Sequence, residues 1–289
     1  REGSDVSRHE DLKGISVLLR SAIDDQKRVQ GEIRICLPGL DSCDCERVYR
    51  VVAAPVNDYP ESGAWCIVDD ITDQSRTEQI RKDFVTNASH ELRTPLSLIH
   101  GYIETLQSGI IKGGTSMQRC LEVMEKHSKR MMRIIEDMLT ISRLESDDVQ
   151  LKIETFHVRA CVEDVLEHLT PLMEVRHPNI ALDFPKDGGL MRGDRFYWDQ
   201  ILFNLIENAL KENEPGIQVE ISSRREGTTV ILTVRDNGIG IPQEDLPFVF
   251  KRFYRVAKHH SSAVKGTGLG LSIVRRAVEA HGGTISVHS

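Results

Sequence analysis

Two long stretches of apolar residues at helical spacing, separated by a glycine-rich turn, constrain the fold of this chain more than any other feature. They lie within residues 74–148, and the turn contains Gly109 and Lys112-Gly113-Gly114. The first stretch presents the stripe Phe84, Leu92, Leu96, Ile99, Ile103 and Leu106. The second presents, at alternating spacings of three and four, Leu121, Met124, Ser128, Met131, Ile135 and Met138. This spacing is typical of a coiled-coil seam, so residues 74–148 are predicted to form an antiparallel helical hairpin.

Two helical arms bury too little apolar surface to be stable alone. We therefore expect the hairpin to pair with a second copy of the chain, which gives a homodimer held by a four-helix bundle. The methionines of the second arm are explained as core residues of this bundle, without any cofactor.

The segment before the hairpin, residues 1–73, combines one helical stretch with three extended runs. Apolar residues recur at helical spacing within residues 11–30. The extended runs, each bounded by turn residues, are Glu32–Leu37, Arg47–Val56 and Ala64–Ile71. This order predicts a helix followed by an antiparallel meander.

The segment after the hairpin, residues 149–289, alternates helical and strand-like patterns. The predicted helices are at about 158–176, 196–212, 244–252 and 269–281. The predicted strands are at about 149–155, 180–183, 217–224 and 229–235, and another begins at Thr284–His288, where the sequence stops. We expect an α/β sandwich without its last strand, and the fold class of the whole chain is therefore multidomain α+β.

Bulk composition excludes some classes of protein. The formal net charge of the 289 residues is −7, which argues against a dedicated nucleic-acid binder. No apolar run reaches the roughly 20 residues that cross a bilayer, but the chain starts with Arg1, so we expect sequence upstream of it. Cys43 and Cys45 form a C-x-C pair that is conceivable as a metal or redox site, although free thiols in a reducing cytosol explain the six cysteines better.

The strongest local pattern is FVTNASHELRTPLSL, residues 84–98. A histidine on a helix is usually structural or a surface residue, but the neighbours of His90 favour chemistry. A neutral imidazole is a good nucleophile toward phosphorus, and the adjacent Glu91 can accept the proton of its second nitrogen. Thr94 lies one turn further on the same face and can position a water. Pro95 removes an amide and predicts a bend beside His90.

A second pattern, NLIENALK, places Asn204, Asn208 and Lys211 on one helix face. Amide oxygens suit a hydrated Mg²⁺, and a lysine one turn on suits phosphate. An amphipathic helix with its polar residues outward explains the pattern equally well.

A third pattern, DNGIGIP, follows the strand-like run that ends at Arg235. A carboxylate at a strand end, here Asp236, can accept a hydrogen bond from the amino group of adenine, and Gly238 and Gly240 let the backbone pass close to a flat base. The pattern alone is weak, because many turns resemble it.

The fourth pattern, KGTGLGLS, opens a predicted helix at about Leu269. Glycine-rich backbone at a helix N-terminus binds anions, since free N–H groups and the helix dipole point at the ligand. The small polar stretch Val256–Val264 before it is expected to be a mobile lid, and Arg255, in the segment FKRFYR, is expected to reach a terminal phosphate. The alternative for FKRFYR is a basic helix end packed by Phe250 and Phe253.

In this order and spacing, the four patterns and FKRFYR resemble the sensor histidine kinases, in particular the PhoR-like group with a HisKA dimerisation domain. The resemblance covers roughly residues 75–289 and implies an ATP-binding domain of the Bergerat type. It implies that His90 is the phospho-acceptor, Glu91 the base, and Glu91 with Thr94 the phosphatase motif. It implies that Asn208 binds Mg²⁺. The residues that it assigns to ATP are Asn204, Asn208, Lys211, Asp236, Gly238, Gly240, Tyr254, Arg255, Gly266, Thr267, Gly268, Leu269 and Gly270.

The resemblance also implies partners and a location. His90 would pass its phosphoryl group to an aspartate in the receiver domain of a response regulator. The chain would be the cytoplasmic portion of a protein anchored in the inner membrane through the missing upstream sequence. Its domains would be 1–73, the C-terminal part of a PAS-like sensor domain ending near Asp70-Ile71-Thr72; 74–148, the dimerisation and phosphotransfer hairpin; and 149–289, the ATP-binding domain.

Two departures from the family pattern stand out. An aromatic residue or histidine that stacks near adenine usually follows the lysine, whereas Glu212-Asn213 follows Lys211 here. We also expect the final strand of the ATP domain to be missing. For residues 1–73, any small α/β fragment is the alternative to a PAS domain.

Two rival functions belong to other classes. One is an ATP-driven conformational machine of the gyrase, Hsp90 and MutL type, which lacks the His90 box ahead of a helical hairpin. The other is a dimerising scaffold with a degenerate nucleotide site, against which the intact Asn208, Asp236 and glycines argue.

Overall fold

The computed structural model of the chain describes residues 13–36, 46–56, 63–109, 111, 113–146, 149–186, 189–256 and 266–289. The chain divides into two compact units, residues 1–86 and 87–289, and each is described by itself. The proposed domain boundaries after residues 73 and 148 stay predictions. None of the helices in the described ranges is both long enough and apolar enough to span a membrane.

The first unit packs α1 (Lys13–Asp24) on a three-stranded antiparallel sheet in the order β1-β2-β3. The strands are β1 (Val29–Cys36), β2 (Glu46–Val56) and β3 (Gly63–Asp70). The helix and the meander are therefore present as predicted. The helix ends at Asp24 rather than near residue 30, because Gln26 adopts a left-handed conformation with φ of 50°.

The junction Asp70-Ile71-Thr72 ties the end of β3 to β2 and starts helix α2 (Thr72–Gln107). The buried Thr72 hydroxyl accepts a hydrogen bond from Val48 N at 3.0 Å and donates to Asp70 Oδ1 at 2.5 Å. Thr72 N also donates to Asp70 Oδ1, at 3.0 Å. These hydrogen bonds from Thr72 hold the pKa of Asp70 below its usual value. The aspartate thus satisfies an amide at the start of the helix, as an N-terminal cap does.

In the second unit, α2 continues to Gln107 and α3 (Gly114–Leu144) follows, which is the predicted helical hairpin. Gly109 has φ of 68°, a left-handed conformation that glycine adopts without strain as the first arm ends. Pro95 is inside α2 and buried. Several large apolar side chains of the two arms stay exposed, namely Leu96, Leu98, Met117, Leu121, Met132, Ile135 and Leu139.

The rest of the second unit is an α/β sandwich. Strand β5 (Asn179–Asp183) runs parallel to β7 (Gln218–Glu226), which pairs antiparallel with β8 (Thr229–Asp236). Strands β4 (Ile153–His157) and β6 (Leu190–Asp194) form a separate antiparallel pair. The helices are α4 (Val158–His168), α5 (Thr170–Arg176), α6 (Arg195–Lys211) and α7 (Gly270–Ala280). The core includes Val162, Leu202, Ile206, Leu210 and Ile221, buried between α4, α6 and the three-stranded sheet.

Five details differ from the predictions for residues 149–289. The single helix predicted over 158–176 is two helices, because it is interrupted at Leu169, just before Pro171 in the first turn of α5. Strand β4 begins at Ile153 rather than at residue 149. The strand β6 was missed. It leads into Asp194, whose Oδ1 caps α6 by accepting from Phe196 N at 3.0 Å.

The other two corrections concern the C-terminal part of the chain. The helix predicted over 244–252 is only a 3-10 turn at Leu246–Phe248, and a separate turn follows it, in which Lys251 N donates to Phe248 O at 2.8 Å. The strand predicted at 284–288 does not form, because no described strand pairs with this segment. The tail instead contacts the loop after β8, where Ile241 N donates to Ser289 Oγ at 2.6 Å.

Candidate phosphotransfer and nucleotide site

His90 lies on α2 with its side chain exposed, and its ring has no hydrogen-bond partner within the described part of the chain. The Thr94 hydroxyl donates to the His90 carbonyl at 3.4 Å, so the two residues share a helix face as predicted. Glu91, the predicted base, is instead bound to Arg130 of α3 at 2.8 Å. Adjacent residues on a helix point in different directions, and Glu91 therefore faces the second arm.

The predicted phosphate and Mg²⁺ residues of α6 differ in their surroundings. Asn204 is buried and its Nδ2 donates to Gln200 O at 2.9 Å, whereas the side chain of Asn208 is exposed. The ammonium of Lys211 pairs with Glu207 Oε1 at 2.7 Å. Of the three predicted residues, Asn208 alone presents an exposed side chain.

Glu207 joins α6 to the helical hairpin formed by α2 and α3, a contact that sequence reasoning missed. Its carboxylate is buried and accepts two hydrogen bonds from the guanidinium of Arg133 on α3, one of them at 2.7 Å. Burial alone would raise the pKa of Glu207, but Arg133 and Lys211 outweigh it and hold the pKa below its usual value. The carboxylate therefore stays ionised between two cations from different helices.

Asp236 ends β8, and its Oδ1 accepts a hydrogen bond from Gly238 N at 2.9 Å. Asp236, Gly238 and Gly240 are exposed, and Gly240 has φ of 70°. The same Oδ1 accepts from Asn213 Nδ2 at 3.2 Å, across the gap between α6 and the loop. The loop is thus an open, glycine-rich surface beside a fixed carboxylate.

The segment FKRFYR is bound to the glycine-rich segment through its backbone. Phe253 N donates to Gly268 O at 2.8 Å, and both residues have positive φ, 60° and 72°. The Tyr254 hydroxyl donates to Asp245 Oδ1 at 2.5 Å, which raises the pKa of Tyr254. Arg255 is exposed, and most of the predicted lid, from residue 257 onward, lies outside the described residues.

The glycine-rich segment approaches both α6 and α3. A Cβ on Gly270 would lie 2.7 Å from Asn204 Oδ1, so glycine is needed at this crossing. The Thr267 hydroxyl donates to Asp137 Oδ2 of α3 at 3.0 Å and accepts from Leu269 N at 3.2 Å. The Leu269 side chain is fully buried in the core. Gly266 has space around its Cα, since an added Cβ would meet nothing within 4 Å. Helix α7 begins without a side-chain cap.

Asp137 has an unusual environment for a carboxylate. Burial raises its pKa to about 6, although Arg133 and the Thr267 hydroxyl oppose the change.

At the end of α3, Glu145 binds Arg252 and, at 3.4 Å, Arg276. Together with Arg133, these contacts bring one face of α3 against the α/β sandwich of residues 149–289, called the nucleotide module below. Sequence reasoning assigned α3 only to the dimer seam.

A cavity of about 470 Å³ lies between α3 and the nucleotide module, lined by residues that include Arg133, Phe203 and Asn204. Asp236 is not among the lining residues, so this cavity is distinct from the surface at the DNGIGIP loop. Within the described ranges, no group of three or more His, Cys, Asp or Glu side chains is placed to hold a metal ion. Cys43 and Cys45, the conceivable metal or redox pair, lie outside those ranges.

Comparison with known proteins matches the two modules to separate family models. One, the His Kinase A (phospho-acceptor) domain, matches residues 80–147. The other, the histidine kinase-, DNA gyrase B-, and HSP90-like ATPase, matches residues 193–289. The sensor histidine kinase WalK of Bacillus subtilis is 35% identical over 225 residues, which are 77% of this chain and 37% of WalK. The chain belongs to the sensor histidine kinases.

Other sensor histidine kinases extend this comparison. The sensor protein SrrB of Staphylococcus aureus is 33% identical over 229 residues, 79% of this chain and 39% of SrrB. The chain thus spans well under half the length of these two relatives. The structure of the Acinetobacter baumannii histidine kinase AdeS matches with a TM-score of 0.55 and 29% identity, covering 66% of this chain and 86% of that one.

The comparisons also argue against one of the two rival functions, the gyrase-like conformational machine. The nucleotide module alone is compatible with gyrase-like and HSP90-like ATPases, as the description of its family model says. The phospho-acceptor match at residues 80–147 is specific to the histidine kinases and includes His90. The predicted family and the multidomain α+β fold are therefore confirmed, while the PAS assignment and the roles of individual site residues stay predictions.

Proposed function

We propose that this histidine kinase segment uses ATP to phosphorylate His90 and then transfers the phosphoryl group to an aspartate in the receiver domain of a response regulator. The observation that carries the proposal is the exposed, unengaged ring of His90 in the same compact unit as the ATPase-type module. A nucleophile must be reachable by the γ-phosphate, and an exposed ring on a helix satisfies this need.

The chemistry needs one bond formed and one broken in each step. A ring nitrogen of His90 attacks the γ-phosphorus, the bond to the bridging oxygen breaks, and ADP leaves with that electron pair. The other ring nitrogen gives up its proton, and we assign Glu91 as its acceptor. Because Glu91 binds Arg130 in this structure, it must turn from Arg130 toward His90 during catalysis. A receiver carboxylate then displaces the imidazole from phosphorus.

Three groups of residues would bind the nucleotide. Asp236, Gly238 and Gly240 would receive the adenine, because a fixed carboxylate oxygen lies beside exposed glycine backbone. The phosphates would be held by Asn204, Lys211, Tyr254 and Arg255. The backbone of Gly266, Thr267, Gly268, Leu269 and Gly270, at the start of α7, would supply N–H donors. For this, Leu269 N would have to exchange the Thr267 hydroxyl for phosphate. Lys211 would have to exchange Glu207 for phosphate.

The exposed amide of Asn208 would hold Mg²⁺. Mg²⁺ prefers oxygen ligands, keeps several waters and often binds through substrate phosphates, so a single protein amide oxygen fits it. The neighbouring Glu207 is occupied by Arg133 and Lys211. When bound, the ion neutralises charge on the phosphate oxygens.

The apolar surface of the hairpin supports a homodimer. Leu121, Met132, Ile135 and Leu139 of α3 are large, apolar and exposed in the single chain. A second copy would bury them in a four-helix bundle.

We also propose that Glu91 and Thr94 take part in removing phosphate from the regulator, with Thr94 orienting the attacking water.

The relatives named above are sensor proteins more than twice the length of their match to this chain. This supports the proposal that the segment is part of a longer sensor protein, and we propose that it works in the cytoplasm, attached to the inner membrane through upstream sequence. We also propose a sensor role for residues 1–73, as the C-terminal part of a PAS-like domain, in line with the packing of α1 on the antiparallel sheet β1-β2-β3.

Incubation of the purified chain with γ-labelled ATP and Mg²⁺ tests the phosphorylation. We expect a label on the protein that is lost in acid and stable in base, as a phosphohistidine is, and absent in His90→Gln. His100→Gln is the matched control, because His100 lies on the same helix, is exposed and, among the described residues, pairs only with Glu104, at 3.4 Å. Equal labelling of His90→Gln and the wild type would reject the assignment.

A further inference from the structure

Asn213 lies just beyond the end of α6, and its side chain is buried with both ends of the amide engaged. Its Nδ2 donates to Ala209 O at 2.8 Å and to Asp236 Oδ1 at 3.2 Å. Its Oδ1 accepts from Ile239 N at 2.9 Å. One side chain therefore connects α6 to both the first and the fourth residue of the DNGIGIP loop.

These bonds determine which oxygen of Asp236 is available to a ligand. Oδ1 accepts from Gly238 N at 2.9 Å and from Asn213 Nδ2 at 3.2 Å, so its lone pairs are taken. Oδ2 has no hydrogen-bond partner among the described residues. A carboxylate fixed through one oxygen presents the other in a constant direction, which suits the recognition of a single donor group.

Gly238 belongs to the same arrangement. A Cβ built on Gly238 would overlap the side-chain amide of Asn213, so the glycine provides the space that Asn213 occupies. The requirement for glycine at this position thus arises from the asparagine beneath the loop.

We propose that Asn213 is a positioning residue that orients Asp236 toward the 6-amino group of adenine and thereby sets the nucleotide preference of this kinase. The inference rests on the proposed ATP-binding function and adds to it a residue that does not touch the nucleotide. Sequence reasoning saw only that Glu212-Asn213 replaces an aromatic contact. The structure gives the asparagine a different task, which is to connect the helix to the adenine-facing loop.

The test measures how much the preference for a nucleotide with a 6-amino group depends on the side chain at position 213. Dissociation constants of the full chain are measured with Mg²⁺ for ATP and for purine riboside triphosphate, which lacks the 6-amino group. We expect the wild type to prefer ATP by about 10- to 100-fold, the effect of one hydrogen bond to a charged acceptor. In Asn213→Leu, which has a similar size and no amide, the preference should fall to about twofold. The KM for ATP should rise while the rate of His90 phosphorylation at saturation stays the same.

Two further variants separate positioning from a general loss of structure. Asn237→Ala removes another loop amide, which accepts from Gln218 N at 2.9 Å on the strand side. It should leave the preference for ATP unchanged. Asn213→Ser keeps a polar group and should restore part of the preference, and it also serves if Asn213→Leu does not fold by its circular dichroism and melting temperature.

The outcomes distinguish this inference from the proposed function. If the wild type binds both nucleotides equally, Asp236 does not read the 6-amino group, and both the adenine assignment and the role of Asn213 are wrong. If the wild type prefers ATP but Asn213→Leu and Asn213→Ser keep the full preference, ATP recognition by Asp236 stands and the positioning role is overturned. A preference lost in Asn213→Leu and kept in Asn237→Ala supports the inference.

Discussion

Arg133 of the phosphotransfer hairpin binds Glu207 of the nucleotide module through two hydrogen bonds, one of them at 2.7 Å. Glu207 immediately precedes Asn208, the proposed Mg²⁺ ligand, and also holds Lys211 at 2.7 Å. The hairpin that carries the phospho-acceptor is therefore in direct contact with the helix that is proposed to hold the phosphates. In this arrangement Lys211 is occupied by a protein carboxylate.

We expect His90 phosphorylation to become faster when the contact between Arg133 and Glu207 is removed. In Arg133→Ala the nucleotide module is less firmly held against α3, so we expect basal His90 phosphorylation to increase by about 3- to 10-fold, the factor for loss of roughly 1 kcal/mol of restraint. Initial rates at saturating ATP check this. Arg119→Ala is the control, because Arg119 is an exposed residue of the same helix. A rate equal to or below that of the wild type would show that the contact does not restrain the module.

The raised pKa of Asp137 predicts that the free energy of unfolding depends on pH. Its pKa in the folded chain is raised from 3.8 to about 6, so the folded state binds this proton more tightly than the unfolded state does. The cost of the ionised form is therefore absent below about pH 4 and fully present above about pH 6. Asp137→Asn should raise the free energy of unfolding by about 1–3 kcal/mol at neutral pH and have little effect at about pH 4.

Denaturant unfolding of both proteins across this pH range measures the difference. Glu136→Gln is the matched control, because Glu136 is adjacent and exposed and should show no such trend. A constant difference between Asp137→Asn and the wild type at every pH would contradict the assignment of the effect to this carboxyl group.

Thr72 predicts a stability effect in the first unit. It is buried and bonded to Val48 N and Asp70, so Thr72→Val keeps the size but leaves these partners without a hydroxyl. We expect a loss of about 1–3 kcal/mol of unfolding free energy, the cost of unsatisfied buried polar groups. Thr77→Val is the control, since its exposed hydroxyl bonds only to Asp73 O, at 2.8 Å. Equal effects of the two substitutions would show that burial of Thr72 is unimportant.

A side chain at position 238 is expected to lower both the stability of the chain and its affinity for ATP. A methyl group in Gly238→Ala would displace the Asn213 amide, so we expect a loss of about 1–3 kcal/mol in stability, as for overpacking, and weaker ATP binding. Gly63→Ala is the control, because a Cβ there lies no closer than 4.0 Å to its nearest neighbour, Val56. Thermal melting and ATP titration measure both effects. Unchanged ATP affinity in Gly238→Ala would mean that the loop tolerates displacement of Asn213.

The pattern of right and wrong predictions follows from the range of the forces involved. The hairpin, the sheet order of the first unit and most helices depend on local periodicity, so they were predicted from the sequence. The prediction of a helix over 244–252 was wrong, and this segment ends in a long-range contact, the bond from Phe253 N to Gly268 O. The short strand β6 was missed because its pairing with β4 is not local.

The sequence by itself determined the order of the modules and the chemical types at the site, such as His90 on a helix and Asp236 at a strand end. Only the tertiary structure decided which group each charge or amide contacts. Arg133 and Glu207 are 74 positions apart, Asp137 and Thr267 are 130 apart, and Asn213 and Ile239 are 26 apart. Hydrogen bonds act over about 3 Å, so a pairing between distant positions exists only after packing has brought the helices and loops together.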